Sequence, residues 1–84
     1  MRLDKYLKVS RLIKRRTVAN EACDSSRVSV NGKQVKPSYD VKIGDSITIA
    51  FGSKQVTVKV LDIRETTKKS ESIGMYEVIS ESNA

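Results

Sequence analysis

The stretch RVSVNGKQV, residues 27–35, marks the place where the pattern of apolar residues changes its period. Before it, apolar residues recur with the 3.6-residue spacing of a helix, whereas within it apolar and polar residues alternate as in a half-buried strand. Asn31-Gly32 at its centre suits the two left-handed positions of a type I′ turn. The stretch therefore predicts a tight β-hairpin that follows a helical segment.

Two short amphipathic helices are predicted upstream of this hairpin. In the first, Leu3, Tyr6 and Leu7 are spaced to lie on one face. The second is predicted to have Thr17 as its N-cap, because a threonine oxygen there can accept a hydrogen bond from a free backbone N–H. Its apolar residues share one face: Val18, Ala19, Ala22 and Cys23. Because the chain has no histidine to activate a thiol, Cys23 is interpreted as a small buried side chain.

Further strands are predicted downstream, where apolar and polar residues alternate again. Residues 47–51 and 56–60 would form a second hairpin, and residues 75–79 a closing strand. Val41 and Ile43 are expected to enter the core just before the second hairpin begins.

The chain is predicted to form a single domain of the α+β class over residues 1–79. Two short N-terminal helices would pack on a small, mostly antiparallel, twisted sheet. Residues 64–74 are polar enough to form a loop or a loosely held helical turn, and residues 80–84 are predicted to be a frayed tail.

The composition excludes several kinds of protein. The 84 residues include one cysteine and no histidine, so an internal disulfide, the usual zinc sites and the Ser/His or Cys/His nucleophile arrangements are excluded. A domain of this size buries only about 60% of its unfolded surface, which leaves little apolar material for a catalytic cleft. No apolar run has the length of a membrane span. We therefore expect a soluble cytosolic protein that is not an enzyme and holds no metal or cofactor.

Positive charge is concentrated in the N-terminal half. Residues 1–42 contain eleven Lys and Arg against four Asp and Glu, whereas residues 43–84 contain five against six. Residues 10–16 form a basic connection between the two helices, in which Leu12 and Ile13 are expected to anchor the backbone to the core. This segregation of charge indicates a surface that binds a polyanion.

Four segments resemble, in order and spacing, the S4-type RNA-binding domain, also called the alpha-L motif, over about residues 1–50. They are RLDKYL (2–7), SRLIKRRTVANEA (10–22), RVSVNGKQVKPSYDVKIGD (27–45) and ITI (47–49). Together with ETTKKSESIGMYEV (65–78), this stand-alone arrangement is similar to the RqcP (YabO) family. That family is similar in turn to the fifteen-kilodalton ribosome-binding heat-shock protein.

Ser26 departs from the pattern of this domain, which commonly has a glycine there to end the second helix in a left-handed conformation. Serine tolerates that conformation less well. The sequence therefore predicts that the helix ends a residue earlier or through a different turn.

The resemblance implies a cytoplasmic, ribosome-associated factor of quality control. Such a factor binds ribosomal RNA and tRNA on the obstructed large subunit and acts with RqcH during alanine tailing of the stalled nascent chain. It is expected to be a monomer, with neither a membrane nor DNA as a partner. DNA is disfavoured because the second helix, as a recognition helix, would carry acids and no arginine.

Eight basic residues are predicted to contact RNA phosphates, since helical RNA is read mainly through its backbone and shape. They are Arg2, Lys5, Arg11, Lys14, Arg15, Arg16, Lys33 and Lys36. The resemblance marks Arg2, Arg15 and Arg16 as the strongest of these. Asp4 is expected to orient a neighbouring basic side chain. Base stacking is not predicted, because no aromatic residue lies in the basic connection.

Two alternative functions stay open. One is a heat-shock-type factor that recycles dissociated large subunits, although residues 71–84 carry three acidic and no basic residues and so offer no basic C-terminal extension. The other is the accessory RNA-binding domain of an RNA-modifying enzyme. Catalysis by the chain itself would need an acidic group in a walled pocket, and Asp4 is the only obvious acid near the basic cluster.

Overall fold

Two helices and a five-stranded sheet make up the computed structural model, which describes residues 1–65 and 73–83. The helices and strands are α1 (Leu3–Val9), α2 (Arg16–Asp24), β1 (Val28–Val30), β2 (Lys33–Gln34), β3 (Ser46–Phe51), β4 (Lys54–Val60) and β5 (Tyr76–Asn83), with a 3-10 turn over Ile73–Met75. Neighbouring strands in the order β2-β1-β3-β4-β5 pair antiparallel. The predicted α+β class, with two N-terminal helices and an antiparallel sheet, is confirmed.

The predicted hairpin forms around Asn31-Gly32. Both residues have positive φ, 53° and 82°, as a type I′ turn requires, and Val30 lies opposite Lys33 in the register. The Asn31 side chain also donates to Asp45 Oδ1 at 3.1 Å and accepts the backbone N–H of Ser46 at 3.0 Å. The turn is therefore held against the start of β3 as well as within its own hairpin.

Helix α2 ends in a left-handed cap formed by Ser26 itself, with φ of 62°. The Ser26 N–H donates to Cys23 O at 3.2 Å and the Arg27 N–H donates to Ala22 O at 2.9 Å, which is the hydrogen-bond pair of a Schellman motif. The predicted earlier end or different turn is therefore wrong. The two hydrogen bonds hold serine in a conformation that glycine adopts with less strain.

Helix α2 begins before the predicted N-cap. The Ala19 N–H donates to Arg15 O at 3.0 Å, so the helical hydrogen bonds start at Arg15, and Arg16 is the first helical residue. Arg15 has no capping side-chain hydrogen bond, and Thr17 lies inside the helix. The Thr17 prediction was wrong because contacts to α1, described below, position this end of the helix.

The core lies where the two helices cover one face of the sheet. Leu3, Tyr6 and Leu7 of α1 are fully buried, as predicted, and the Tyr6 hydroxyl donates to the Met75 carbonyl at 2.7 Å. Cys23 is also buried, as predicted. Burial, with the nearby charges of Asp4 and Asp24, raises the pKa of Cys23 to about 11, so its thiol is protonated at neutral pH.

Two predictions for the second half of the chain require correction. Val41 is buried, but Ile43 is 65% exposed, because the chain turns at Gly44 and the Asp45 N–H donates back to Lys42 O. The alternation of inward and outward residues therefore stops after Val41.

The second correction concerns the C-terminal end. Residues 80–83, predicted to be a frayed tail, instead continue β5 and pair with β4, past a register shift between Thr57 and Val58. Within the predicted loop over 64–74, residues 66–72 lie outside the described residues, and 73–75 form the 3-10 turn. The extent of the single domain, residues 1–79, stays a prediction.

Candidate nucleic-acid interface

Asp4 is the buried carboxylate around which the basic residues of the two helices meet. Its side chain is 3% exposed and accepts hydrogen bonds from Arg2 Nε at 3.2 Å and Arg2 Nη2 at 3.3 Å. The Lys5 N–H at 2.8 Å and Asn20 Nδ2 at 3.2 Å donate to the same carboxylate. Asp4 therefore joins the start of α1 to the middle of α2.

Arg16 completes this cluster from the first residue of α2. Its Nη2 lies 3.5 Å from Asp4 Oδ1, close enough for an ion pair. The side chains of Arg2 and Arg16 are 51% and 50% exposed, so each guanidinium reaches the carboxylate and still faces solvent. One negative charge between two positive ones leaves the cluster positive and holds both guanidinium groups at one place on the surface.

Asp4 stays ionised at neutral pH. Its burial raises the pKa, but hydrogen bonds from Arg2, Asn20 and the Lys5 N–H, together with the charge of Arg16, outweigh burial and hold the pKa below its usual value. Asn20 is the member of this cluster that the sequence prediction missed. It lies four residues after Arg16 and hence on the same face of α2, which is the only signal that could have indicated it.

The basic connection, residues 10–16, is anchored to the core by two apolar residues. Ile13 is buried and its N–H donates to Leu7 O at 3.0 Å, while Leu12 packs against the core with partial burial. Lys14 and Arg15 are exposed. The predicted anchoring by Leu12 and Ile13 is confirmed, and it presents the basic side chains of this connection outward.

The segment that leaves the first hairpin runs along the start of α1. Pro37 O accepts the Asp4 N–H at 3.1 Å and Tyr39 O accepts the Leu3 N–H at 2.8 Å, which satisfies two of the free N–H groups at this helix end. Lys36 directly precedes Pro37, so this packing places it at the same end of the molecule as the Asp4 cluster.

The remaining predicted residues have different surroundings. Lys5 forms an ion pair with Glu65, and its hydrogen bond and charge hold the pKa of Glu65 below the usual range. Lys33 is exposed in β2, at an edge of the sheet. Arg11 has a left-handed backbone, with φ of 63°, at the turn that follows α1. The structure thus joins Arg2, Asp4 and Arg16 directly, whereas the side chains of the other predicted basic residues do not bond to the Asp4 carboxylate in the hydrogen bonds and ion pairs described for it.

The fold and this arginine cluster define the class of the protein as that of the S4 domain, whose family model matches residues 1–47. Within that class, the chain belongs to the family of the RQC P-site tRNA stabilizing factors. It is 58% identical over 81 residues to the factor of that name from Bacillus subtilis (strain 168), covering 96% of this chain and 94% of the relative. The resemblance seen in the sequence is confirmed.

The heat-shock proteins are more distant relatives. The chain is 36% identical over 83 residues to Heat shock protein 15 of Escherichia coli (strain K12), covering 98% of this chain and 62% of that protein. A solved trimeric structure of Vibrio cholerae Heat Shock Protein 15 superposes with a TM-score of 0.89 at 31% identity, covering 95% of this chain and 82% of that chain. Among the residues that the structure describes, no helix is long and apolar enough to cross a membrane.

Proposed function

We propose that this protein binds RNA on the large ribosomal subunit and stabilises tRNA in the P site during ribosome-associated quality control. The observation that carries the proposal is the convergence of Arg2 and Arg16, from two different helices, on the buried carboxylate of Asp4. The name of the close relatives, RQC P-site tRNA stabilizing factor, supports the same function.

The arginine cluster suits a phosphate backbone better than it suits bases. A guanidinium group can bind two phosphate oxygens through parallel N–H donors, and helical RNA exposes phosphates and 2′-hydroxyls while its base edges lie in a deep groove. Because Asp4 already orients both guanidinium groups, little side-chain entropy is lost when RNA binds. Asp4 itself acts as a positioning residue, since a carboxylate repels phosphate.

Around this centre, the other predicted residues extend the contact to neighbouring phosphates. These residues are Lys5, Arg11, Lys14, Arg15, Lys33 and Lys36. The protein acts as a monomer, by binding and without catalysis, and it supports RqcH-driven alanine tailing of stalled nascent chains. Its partners are ribosomal RNA and tRNA, and its place is the cytoplasm, on the obstructed large subunit.

Sedimentation through sucrose gradients tests the proposal. We expect the wild-type protein to travel with large subunits that carry peptidyl-tRNA, and the Arg16→Ala variant, checked for folding by circular dichroism, to remain at the top of the gradient. Lys59→Ala is the control, because Lys59 is also an exposed basic residue but lies in β4, opposite Glu77 of β5. A folded Arg16→Ala variant that still travels with these subunits would remove Arg16 from the interface.

The same gradients separate the proposed function from the two alternatives. Binding to empty large subunits in preference to those with peptidyl-tRNA would favour the heat-shock-type recycling function. An RNA-modifying activity would show as altered nucleotides in ribosomal RNA after incubation with the purified protein, and we expect none.

A further inference from the structure

A groove with a mostly apolar lining lies beside the basic connection, at the point where α2 meets the end of β3. Its cavity measures about 400 Å³. The lining includes the apolar residues Leu12, Val18 and Phe51 and the basic residues Lys14 and Arg27. Val18 and Phe51 are 45% and 41% exposed, so two large apolar side chains face solvent in one place. Isolated exposed apolar residues are ordinary, but a group of them framed by charge indicates a binding surface.

The packing of β3 creates this groove. The Ala50 N–H donates to Arg27 O at 2.8 Å, which holds Arg27 beside the end of the strand that carries Phe51. The Arg27 Nε also donates to Ser25 Oγ at 3.1 Å. Arg27 is therefore held beside the end of β3 and lines the same groove as Phe51, which lies 24 positions later in the sequence.

The chemistry of the lining favours an occupant with a flat apolar face and a negative charge. Among the described residues that line the groove, two side chains are basic and none is acidic. The groove also lies close to the proposed interface along the chain, since Lys14 precedes Arg16 by two residues and at most about 7 Å of backbone separates them. One RNA strand is long enough to contact both side chains.

We propose that this groove binds an unpaired nucleotide of the RNA, with its base against Phe51 and its phosphates beside Lys14 and Arg27. The inference rests on the proposed function and deepens it. Paired RNA offers this protein only its backbone and shape, whereas an unpaired base can leave the helix and stack on an aromatic side chain. The groove would thus select RNA that has an unpaired nucleotide next to a helical segment.

The test compares two RNA hairpins that differ only by one bulged adenosine, using fluorescence anisotropy and the full chain. We expect Phe51→Leu to weaken binding of the bulged hairpin roughly 5- to 100-fold, the cost of one lost stacking contact. Binding of the fully paired hairpin should not change, since it depends on phosphate contacts elsewhere. Phe51→Tyr keeps the ring and should bind both hairpins as the wild type does.

A fluorescent reporter gives a second, independent measurement. The chain contains no tryptophan, so Phe51→Trp introduces a single one in the groove. We expect the bulged hairpin to quench its fluorescence at the concentrations at which anisotropy shows binding. Val78→Trp is the control, because Val78 is similarly exposed at 49% but lies in β5. Its fluorescence should not respond.

Several outcomes would overturn the groove assignment. If Phe51→Leu lowers the affinity for both hairpins equally, the ring acts only through the fold. If it lowers the affinity for neither hairpin, the groove does not bind RNA, although the proposed function still stands. Failure of the wild type to bind either hairpin would overturn the proposed function itself. Binding of an acidic, apolar peptide that shifts the amide resonances of Lys14 and Gly52, where the bulged hairpin shifts neither, would assign the groove to a protein partner.

Discussion

At the scale of single residues, Asp4 links the stability of the protein to its proposed interface. A carboxylate that is almost fully buried is tolerated because Arg2, Lys5, Asn20 and Arg16 all supply donors or positive charge to it. Among the described residues, no buried side-chain polar atom lacks a hydrogen-bond partner. The same contacts that satisfy Asp4 fix the two arginines that face solvent.

Replacing the carboxylate should therefore destabilise the fold. We expect Asp4→Asn to lower the free energy of unfolding by about 1–3 kcal/mol, because charge-assisted hydrogen bonds are lost and an amide N–H₂ would face donors. Urea unfolding measures this. The control is Asp40→Asn, which removes an exposed ion pair with the N-terminal amine and should cost clearly less, because solvent screens that pair. Equal losses of unfolding free energy in the two variants would show that the contacts of Asp4 stabilise the fold no more than an exposed ion pair does.

The effect of Asp4→Asn should also depend on pH. The folded-state pKa of Asp4 is lowered, so the unfolded state binds the proton more readily and the stabilisation is present above the unfolded pKa of about 3.9. It is lost as the pH falls through the folded-state pKa. We expect the difference in unfolding free energy between wild type and Asp4→Asn to be constant from pH 7 to 5 and to shrink below pH 4. A difference that grows on acidification would refute this assignment.

Replacing Ser26 by glycine should raise the free energy of unfolding, whereas replacing Asp4 should lower it. A left-handed conformation costs an L-residue roughly 1–2 kcal/mol, a cost that glycine avoids. Glycine keeps only part of this advantage, because it loses more conformational entropy on folding. Ser26→Gly should therefore stabilise the protein by about 0.5–1 kcal/mol in urea unfolding. Ser26→Ala, which keeps a Cβ, is the control and should give no gain. An equal gain in both variants would point to the lost hydroxyl and not to the backbone.

At the level of helices and strands, α1 makes the hydrogen bonds that join the other elements together. Its first N–H groups bond to the segment after the first hairpin, Asp4 bonds to α2, and Tyr6 bonds to the carbonyl that precedes β5. A helix of 7 residues has little stability of its own. Its position is therefore set by these tertiary contacts, and with it the positions of Arg2 and Lys5.

Loss of the Tyr6 hydroxyl tests this arrangement. We expect Tyr6→Phe to lower the unfolding free energy by about 0.5–1.5 kcal/mol, the net contribution of one hydrogen bond. The packing of the ring is kept, and the Met75 carbonyl still accepts the N–H groups of Leu61 and Asp62. Tyr39→Phe is the control, because the Tyr39 hydroxyl bonds to Asp45 in a partly buried site and should cost less. A Tyr6→Phe variant as stable as the wild type would show that this hydrogen bond does not hold α1 to the sheet.

At the scale of the whole molecule, the separation of charge governs how the protein meets RNA. The excess of positive charge lies entirely in residues 1–42, which include both helices and the first hairpin, and strand β5 carries Glu77 and Glu81. This separation of charge orients the protein as it approaches a polyanion. The positive charges also make the affinity for RNA depend strongly on salt concentration.

The dependence on salt is a quantitative prediction. If about five phosphates are neutralised, the logarithm of the binding constant should fall with the logarithm of salt concentration at a slope of roughly −3.5 to −4.5. Arg16→Ala should make that slope shallower by roughly 0.7–0.9, one phosphate contact, and Lys59→Ala should leave it unchanged. Anisotropy of a labelled RNA hairpin across a KCl series measures both. A wild-type slope near zero would contradict phosphate binding.

Much of the fold could be predicted from local pattern. The burial of Leu3, Tyr6 and Leu7 follows from helical spacing, and the type I′ hairpin follows from Asn31-Gly32, because both depend on interactions between residues close in sequence. The errors have two different causes. At Ser26, the local backbone hydrogen bonds of the helix end outweigh the weaker tolerance of serine for a left-handed conformation. Residues 80–83 gain partners only because β4, which is distant in sequence, lies beside them.

Charge and apolar period are properties of the chain, so the amino-acid sequence predicts which residues can serve an RNA-binding surface and in which half of the chain they lie. Which side chains meet depends on the tertiary structure. Arg2 and Arg16 converge on Asp4 because α1 packs against α2, and Phe51 lines one groove with Lys14 and Arg27 because β3 pairs with β1. Spacing along the chain encodes neither arrangement, because each depends on how complete elements pack against one another.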